Sequence, residues 1–210
     1  MSKAFQRAEE RLLSAIGAAR VSHAFFISSL DSEPAVRLAR RAAALVCTGE
    51  ADEARLAQSA GFRAYDGASM RIDDIRELIA GLAQSPLNGQ MRCTLIEAAH
   101  GMSIPVQNAL LKTLEEPPAH VVFILATTEP QSIPATIVSR CQRFDFHRLR
   151  VEDIVSCMES VLKSAGASIA PEGMVAIARA AEGGMRDALS LADQCISFCG
   201  GNVAAEDVYG

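Results

Sequence analysis

Tryptophan is absent from this chain of 210 residues, and aromatic residues make up only 5% of it. Hydrophobic residues nevertheless account for 50% of the sequence. The core must therefore be built mainly from alanine, leucine, isoleucine and valine. A chain of this length and hydrophobicity can bury one generous core or two modest ones.

Long apolar runs and paired cysteines are also missing. No run reaches the roughly 18 apolar residues that a membrane helix needs, and the polar N-terminus has no secretory pattern. The cysteines include no C-x-x-C pair, which fits reduced, packed thiols better than disulfides or zinc. We therefore expect a cytoplasmic protein with no membrane contact and no bound metal. The cysteines are Cys47, Cys93, Cys141, Cys157, Cys195 and Cys199.

Basic charge is scarce in the last part of the chain. The formal net charge is −5, so no global field draws the protein onto DNA. Residues 151–210 contain three basic and nine acidic residues, which leaves 17 basic and 16 acidic residues in the rest. Any nucleic-acid contact would therefore be local. Arg37, Arg40 and Arg41 share one helix face, which is either a phosphate-contacting surface or a solvated or partner-facing one.

Apolar strands alternate with amphipathic helices through residues 20–149. This alternation predicts an α/β fold, in which helices cover both faces of a parallel sheet. After Leu149 the pattern is helical, with no strand between the helices. We expect an α/β domain over 1–149 and a small helical domain over 150–210. The expected strands lie within 23–29, 61–69, 91–100, 120–130 and 143–149. The expected helices of the first domain lie within 3–18, 34–49, 71–86 and 103–118, and 134–141 is expected to be a short helix or a turn.

Glycine and lysine are both missing from the first strand-to-helix turn, "ISSLDSEPAVR". Ligands of doubly wound folds bind at the carboxyl ends of the strands, and a phosphate loop there needs glycines, a lysine and a hydroxyl. Ser28 and Ser29 supply hydroxyls, but Asp31 and Glu33 add negative charge that would repel phosphate. We therefore expect no ATP hydrolysis and no cofactor at this turn. The chain's lysines are Lys3, Lys112 and Lys163, so no alignment register can put a lysine there.

The acidic pair that such a site also needs is reduced to one residue. "LIEAAH" (95–100) supplies Glu97, and the next residue is Ala98. One carboxylate alone cannot both hold Mg²⁺ and activate water. We expect Glu97 to cap the following turn or to face solvent.

Three longer stretches carry a resemblance to a known family: "IDDIREL" (72–78), the block at 108–141 that ends in "SRC", and "GGMRDALSLADQ" (183–194). Together they resemble the bacterial clamp-loader AAA+ subunits of DNA polymerase III, gamma/tau and delta-prime. The resemblance implies a RecA-like AAA+ domain and a helical lid. A C-terminal collar domain is expected to be absent from this chain. The resemblance also implies that zinc-module cysteines lie within 47–61. Only Cys47 is found there, so no zinc is expected.

The resemblance also assigns residue roles. Arg140 matches the arginine finger that reaches the ATP site of an adjacent subunit, and the alternative is an ordinary surface arginine. Thr127 and Thr128 match a strand end that senses γ-phosphate, and the alternative is a strand cap. Arg186 matches a lid arginine that reaches nucleotide, and the favoured alternative is an ion pair with Asp187, Glu182 or another lid carboxylate. Two local expectations concern neighbours: an ion pair from Lys112 to Glu115 or Glu116, and burial of Cys141.

We expect a non-hydrolysing, delta-prime-like clamp-loader subunit that offers Arg140 to a neighbouring ATPase. Its implied partners are the gamma/tau and delta subunits, with primed DNA contacted at most indirectly. Two alternatives stay open: a gamma/tau-like subunit that binds ATP, and a divergent AAA+-like protein that acts alone through the surface around Arg140.

Overall fold

The protein is described by a computed structural model that covers residues 3–18, 22–29, 32–82, 91–146 and 149–199. These residues divide into two compact units. One unit runs from Ala8 to Phe146. The other holds the described residues from Leu149 onward, together with residues 3–7.

The unit that ends at Phe146 contains a parallel sheet. Its strands are β1 Ala24–Ser29, β2 Phe62–Asp66, β3 Arg92–Glu97, β4 Val121–Thr127 and β5 Gln142–Phe146. They are arranged in the order β2-β3-β4-β1-β5, and every neighbouring pair is parallel. The helices up to the end of this unit are α1 Lys3–Ile16, α2 Ser32–Thr48, α3 Ile72–Leu82, α4 Ile104–Glu115 and α5 Ala135–Val138. The predicted α/β class with a parallel sheet is confirmed.

The central strands are buried on both faces, as the unbroken apolar run of β4 predicts. Phe26, Phe123 and Leu125 belong to a cluster that includes residues of α3, α4 and α5. Because side chains alternate along a strand, Phe25 and Ile27 lie on the opposite face, where α2 contacts β1, β3 and β4. Both Phe25 and Ile27 are fully buried. The two helical layers therefore fix the sheet, and the strand ends are left for polar residues.

Element ends differ from expectation where local chemistry dominates. The expected helix 103–118 ends at Glu115, because Pro117 and Pro118 cannot continue it. The helix expected to begin at Pro34 begins at Ser32, which leaves Pro34 in the first turn. An unpredicted 3₁₀ helix spans Glu53–Gln58, and Asp52 caps it by accepting a 3.0 Å hydrogen bond from the Ala54 backbone. The expected end of α3 beyond Leu82 lies outside the described residues.

The second unit is helical throughout its described part. Its helices are α6 Val151–Ala165, α7 Pro171–Ala180 and α8 Met185–Cys199. Ile154, Met158 and Ile177 are completely or almost completely buried in a shared apolar core. Gly166 ends α6 with a left-handed φ of 69°, a conformation that glycine adopts without strain. Across the described ranges, no helix combines the length and apolar character needed to cross a membrane.

Candidate functional site: the strand ends and Arg140

Polar side chains meet at the carboxyl edge of the sheet, which is where doubly wound folds bind their ligands. Ser28 of β1 is paired in register with Thr127 of β4, so their backbones are adjacent. Glu97 ends β3, which lies on the other side of β4. Ser29 is the last residue of β1 and is half-buried. Asp31 lies outside the described residues, as does the side chain of Glu33.

Glu97 is held by an arginine from the helix that follows β1. Arg40 of α2 donates to Glu97 Oε1 through both Nε (3.0 Å) and Nη2 (2.9 Å). The Glu97 side chain is 24% exposed and that of Arg40 is 47% exposed. The expectation that Glu97 caps a turn or faces solvent is met in part: the side chain is partly exposed, but its charge is offset by a guanidinium within hydrogen-bonding distance.

The loop that carries Glu97 is closely packed against the loop after β2. Ala98 has a left-handed φ of 44°, which is unusual for a residue with a Cβ. The backbone N–H of Gly67 donates to the Glu97 carbonyl at 2.7 Å. A Cβ added at Gly67 would lie 2.7 Å from the Ala98 carbonyl oxygen, so only glycine fits. The approach of these two loops fixes the backbone that presents Glu97.

The hydroxyl of Ser28 is also engaged. Ser28 Oγ donates to Asp145 Oδ1 of β5, a strand that pairs directly with β1. Arg143 Nε donates to both carboxylate oxygens of the same Asp145, at 2.7 and 2.8 Å. The Arg143 guanidinium also lies over the Phe26 ring, 5.8 Å from its centroid. The hydroxyl that a phosphate loop would turn toward a ligand is thus bonded to the neighbouring strand.

Thr127 belongs to a small polar network at the end of β4. Its Oγ1 accepts a 3.0 Å hydrogen bond from the Glu129 backbone N–H and lies 2.9 Å from His100 Nδ1. If the hydroxyl donates to Nδ1, the ring proton is on Nε2, which lies 4.0 Å from Glu129 Oε1. These contacts agree with the alternative in which Thr127 caps the end of β4.

The basic face of α2 is largely occupied by internal pairs. Arg40 binds Glu97, and Arg41 binds Glu9 of α1, a carboxylate that is 8% exposed. Arg37 is exposed and makes no ion pair with any described residue. A phosphate-contacting face formed by all three arginines would require breaking two of these pairs.

Arg140 lies just after α5, and two elements hold its guanidinium. Nη2 donates to Glu115 Oε1 at the end of α4 (2.8 Å), and Nη1 donates to the Thr136 carbonyl (2.8 Å). The Arg140 side chain remains 35% exposed. The expected helical pair from Lys112 is wrong, since Glu115 binds Arg140 and no described residue forms an ion pair with Lys112.

Arg186 belongs to the second unit. It is the second residue of α8, it is exposed, and the turn before it contains Gly183 at a φ of 93°. The favoured expectation is an ion pair with Asp187, Glu182 or another lid carboxylate. Arg186 makes no such pair with a described residue, and the lid carboxylates Glu206 and Asp207 lie outside the described residues.

The cysteines of the described ranges form no recognisable metal centre. Nowhere in those ranges do three or more His, Cys, Asp or Glu side chains gather as metal ligands. A hydrogen bond from Cys93 lowers the pKa of the Cys47 thiol, while burial raises the pKa of Cys93. Burial raises the pKa of Cys141 to about 12. Cys141 is only partly buried, so the expectation of its burial is met in part.

Comparison with sequence families gives two matches that together span most of the chain. The family described as DNA polymerase III, delta subunit, matches residues 5–150. The family described as DNA polymerase III clamp loader subunit, ATPase lid domain, matches residues 153–201.

Curated relatives are named as tau subunits. The DNA polymerase III subunit tau of Bacillus subtilis (strain 168) is 48% identical over 136 residues, which cover 65% of this chain and 24% of the relative. The subunit tau of Escherichia coli (strain K12) is 44% identical over 144 residues, which cover 68% of this chain and 22% of the relative. The chain thus spans about a quarter of the length of these relatives.

Solved structures resemble the fold at low sequence identity. The RuvB Holliday junction branch migration motor of Thermotoga maritima has a TM-score of 0.67 at 16% identity, covering 97% of this chain and 67% of that one. A DNA polymerase III gamma subunit-related protein from Thermotoga maritima MSB8 has a TM-score of 0.55 at 19% identity, covering 93% of this chain and 62% of that one. At these identities the likeness is one of fold.

Proposed function

Because the chain belongs to the family of DNA polymerase III clamp-loader subunits, we propose that it is a non-hydrolysing, delta-prime-like member that supplies Arg140 to a neighbouring ATPase. Residues 1–149 would form its AAA+ domain and residues 150–210 its lid. In this role the subunit is a fixed element beside a gamma/tau ATPase, in a complex that also contains delta. ATP bound by the neighbour would be coupled to loading the sliding clamp on primed DNA, which this subunit contacts at most indirectly.

The observation that carries the proposal is the ion pair between Arg40 and Glu97. Glu97 is the one acidic residue at the end of β3, and Arg40 donates two hydrogen bonds to its carboxylate. Mg²⁺ prefers a nearly octahedral set of oxygen ligands, and a guanidinium at this carboxylate competes with it directly. The lysine that would offset the phosphate charge is missing from the first turn by sequence alone. The residues at this edge therefore do not fit Mg²⁺-bound nucleotide.

The Arg140 guanidinium keeps N–H groups that can bind a ligand. Its hydrogen bonds to Glu115 and Thr136 use two of the five N–H groups of a guanidinium. A forked cation with free donors suits the charge that develops on a transferred phosphoryl group. With no fitting nucleotide site in its own subunit, Arg140 would act on nucleotide held by the subunit packed against it.

A gamma/tau-like, ATP-binding subunit is the second candidate. Its support is the 44–48% identity to proteins named tau and the match to the clamp-loader lid family. The exposed Arg186 in the lid, which makes no ion pair with a described residue, is compatible with it. Against it stand the lack of lysine in the first turn and the replacement of the second acid by Ala98.

The test is ATP hydrolysis by a clamp loader reconstituted from the subunits of the same cell, with this protein present as wild type or as Arg140→Ala. Arginine fingers contribute about 10³–10⁵ in rate where measured, so hydrolysis at the adjacent site should fall by about 10³-fold or more. Arg76→Ala, which removes an exposed arginine paired with Asp73 on α3, is the control and should behave as wild type. Unchanged hydrolysis with Arg140→Ala would refute the proposal. Failure of the chain to associate with any clamp-loader subunit would instead favour a protein that acts alone.

A further inference from the structure

We infer that Glu115 is a positioning residue for Arg140: its carboxylate holds the guanidinium in the orientation that reaches nucleotide on the neighbouring subunit. The inference rests on the proposed trans role of Arg140. It extends that role to a second residue, which lies 25 positions away in sequence on a different helix.

The geometry provides two anchors from two directions. Glu115 Oε1 accepts from Nη2, and the Thr136 carbonyl accepts from Nη1, both at 2.8 Å. A guanidinium is planar, so fixing both terminal nitrogens fixes the plane of the fork and the direction of its remaining donors. An arginine held by one anchor would rotate about its side-chain bonds. Glu115 therefore supplies the second constraint.

Glu115 and Arg140 both adjoin buried structure. Glu115 follows Leu114, which is 2% exposed, at the end of α4. The Arg140 backbone N–H donates to the carbonyl of Ile137 at 3.1 Å, and Ile137 is 1% exposed. The next residue, Cys141, donates its Sγ–H to the same carbonyl at 3.3 Å and packs against the core. The arginine and its carboxylate partner thus project from fixed backbone, as preorganised sites require.

A purely stabilising ion pair predicts something different. The side chains of Arg140 and Glu115 are 35% and 46% exposed, and such surface pairs contribute about 0–1 kcal/mol to stability. Removing the Glu115 charge should therefore leave the protein folded. A positioning role changes turnover at the neighbouring site, because a misplacement of about 1 Å can cost roughly 100-fold in rate.

The experiment is a double-mutant cycle in the reconstituted clamp loader. The variants are Glu115→Gln, Arg140→Ala and the two combined, with Glu116→Gln as the matched control on the adjacent exposed glutamate. Glu115→Gln should lower turnover at the adjacent site by about 10- to 100-fold, with little change in the KM for ATP, because the finger acts in the transition state. Glu116→Gln should equal wild type. The double variant should be no slower than Arg140→Ala alone, since Glu115 acts only through Arg140.

Each other result overturns the inference in a distinguishable way. If Arg140→Ala slows hydrolysis while Glu115→Gln does not, the proposed function stands and Glu115 has no positioning role. Faster hydrolysis with Glu115→Gln would mean that Glu115 restrains Arg140, and additive losses in the double variant would mean that Glu115 acts elsewhere. Loss of the complex in gel filtration for Glu115→Gln alone would assign Glu115 to the interface. No effect of Arg140→Ala would refute the proposed function and the inference together.

Discussion

Two arginine–glutamate pairs of nearly equal length lie in one unit of this protein, and they hold the arginine in different ways. Arg40 and Glu97 meet at 2.9 Å, and Arg140 and Glu115 meet at 2.8 Å. In the first pair both donors converge on one carboxylate oxygen of Glu97. In the second pair only one guanidinium nitrogen meets the carboxylate, and a second is bound by a backbone carbonyl.

In the proposed function, the first pair keeps the Glu97 carboxylate from binding Mg²⁺ and the second holds the Arg140 guanidinium in place. At the strand ends Ser28, Glu97 and Thr127 each have a partner inside the unit. Arg40 and Arg140 each use two of the five N–H groups of a guanidinium, and their side chains are 47% and 35% exposed. Arg140 differs because its two N–H groups bind two separate acceptors, a carboxylate and a backbone carbonyl. Both pairs read as arginine and glutamate in the sequence, and only the geometry distinguishes them.

The largest effect is expected for Arg140→Lys, which keeps the positive charge and removes the planar guanidinium. A lysine cannot bind Glu115, the Thr136 carbonyl and phosphate in one plane, so hydrolysis at the adjacent site should fall by about 100-fold or more. Arg76→Lys is the matched surface control and should leave the rate unchanged. The measurement is steady-state ATP hydrolysis by the reconstituted clamp loader. Full activity with Arg140→Lys would mean that charge alone suffices and that the anchors have no function.

A second change disturbs only the strand-end region. Gly67→Ala puts a methyl group 2.7 Å from the Ala98 carbonyl oxygen, which should destabilise the protein by about 1–3 kcal/mol through overpacking. Gly81→Ala is the control, because a Cβ at that helical position meets nothing within 4 Å. Urea unfolding followed by circular dichroism measures both, and the control should be neutral or slightly more stable. Equal stability of the two variants would contradict the tight approach of the loops.

Removing the arginine at the strand ends should have a smaller effect. Arg40→Ala leaves Glu97, whose side chain is 24% exposed, without its guanidinium, and should cost about 1 kcal/mol. Arg37→Ala, on the same helix and with no ion pair to any described residue, should stay within about 0.5 kcal/mol of wild type. The same urea unfolding experiments separate them. If the two variants lose equal stability, the Arg40–Glu97 pair has no energetic role.

A further prediction is confined to alkaline pH and concerns Cys141, which packs beside Arg140. Burial raises the pKa of its thiol from 9.0 to about 12, so the folded state favours the protonated form. Its contribution to stability is complete below pH 9.0 and is lost as the pH rises toward about 12. Cys141→Ala should therefore show a shallower fall in the free energy of unfolding over that window than wild type. Parallel slopes would show that the thiol is not shielded in the folded protein.

Much of the fold followed from sequence because apolar periodicity reports on burial. β4 and the helices after Leu149 are the clearest examples: a continuous apolar run bounded by turn residues is typical of a strand buried on both faces, and a repeat of three to four residues is typical of a helix with one apolar face. α4 ends at Glu115, within the expected range 103–118, because Pro117 and Pro118 cannot continue a helix. The 3₁₀ helix Glu53–Gln58 was not predicted, because a six-residue segment leaves no periodicity to detect.

The partners in the site could not be predicted, because they join residues distant in sequence. Glu97 and Arg40 are separated by 57 positions, and Arg140 and Glu115 by 25. Local reasoning assigned Glu115 to Lys112, one helical turn away, and assigned Arg186 to a nearby carboxylate. The Lys112 assignment was wrong because long polar side chains choose partners by tertiary geometry, and the Arg186 assignment stays a prediction. The absence of glycine and lysine from the first turn could be read from the sequence, because a missing residue type does not depend on geometry.

We propose that the strand ends of this protein do not bind nucleotide, and isothermal titration calorimetry measures such binding without any partner subunit. Purified protein is titrated with millimolar ATP and Mg²⁺, and an ATP-competent clamp-loader subunit is titrated in parallel. We expect no saturable heat for this chain, which means that any binding free energy for ATP is weaker than about −4 kcal/mol. Saturable binding at one nucleotide per chain would contradict it.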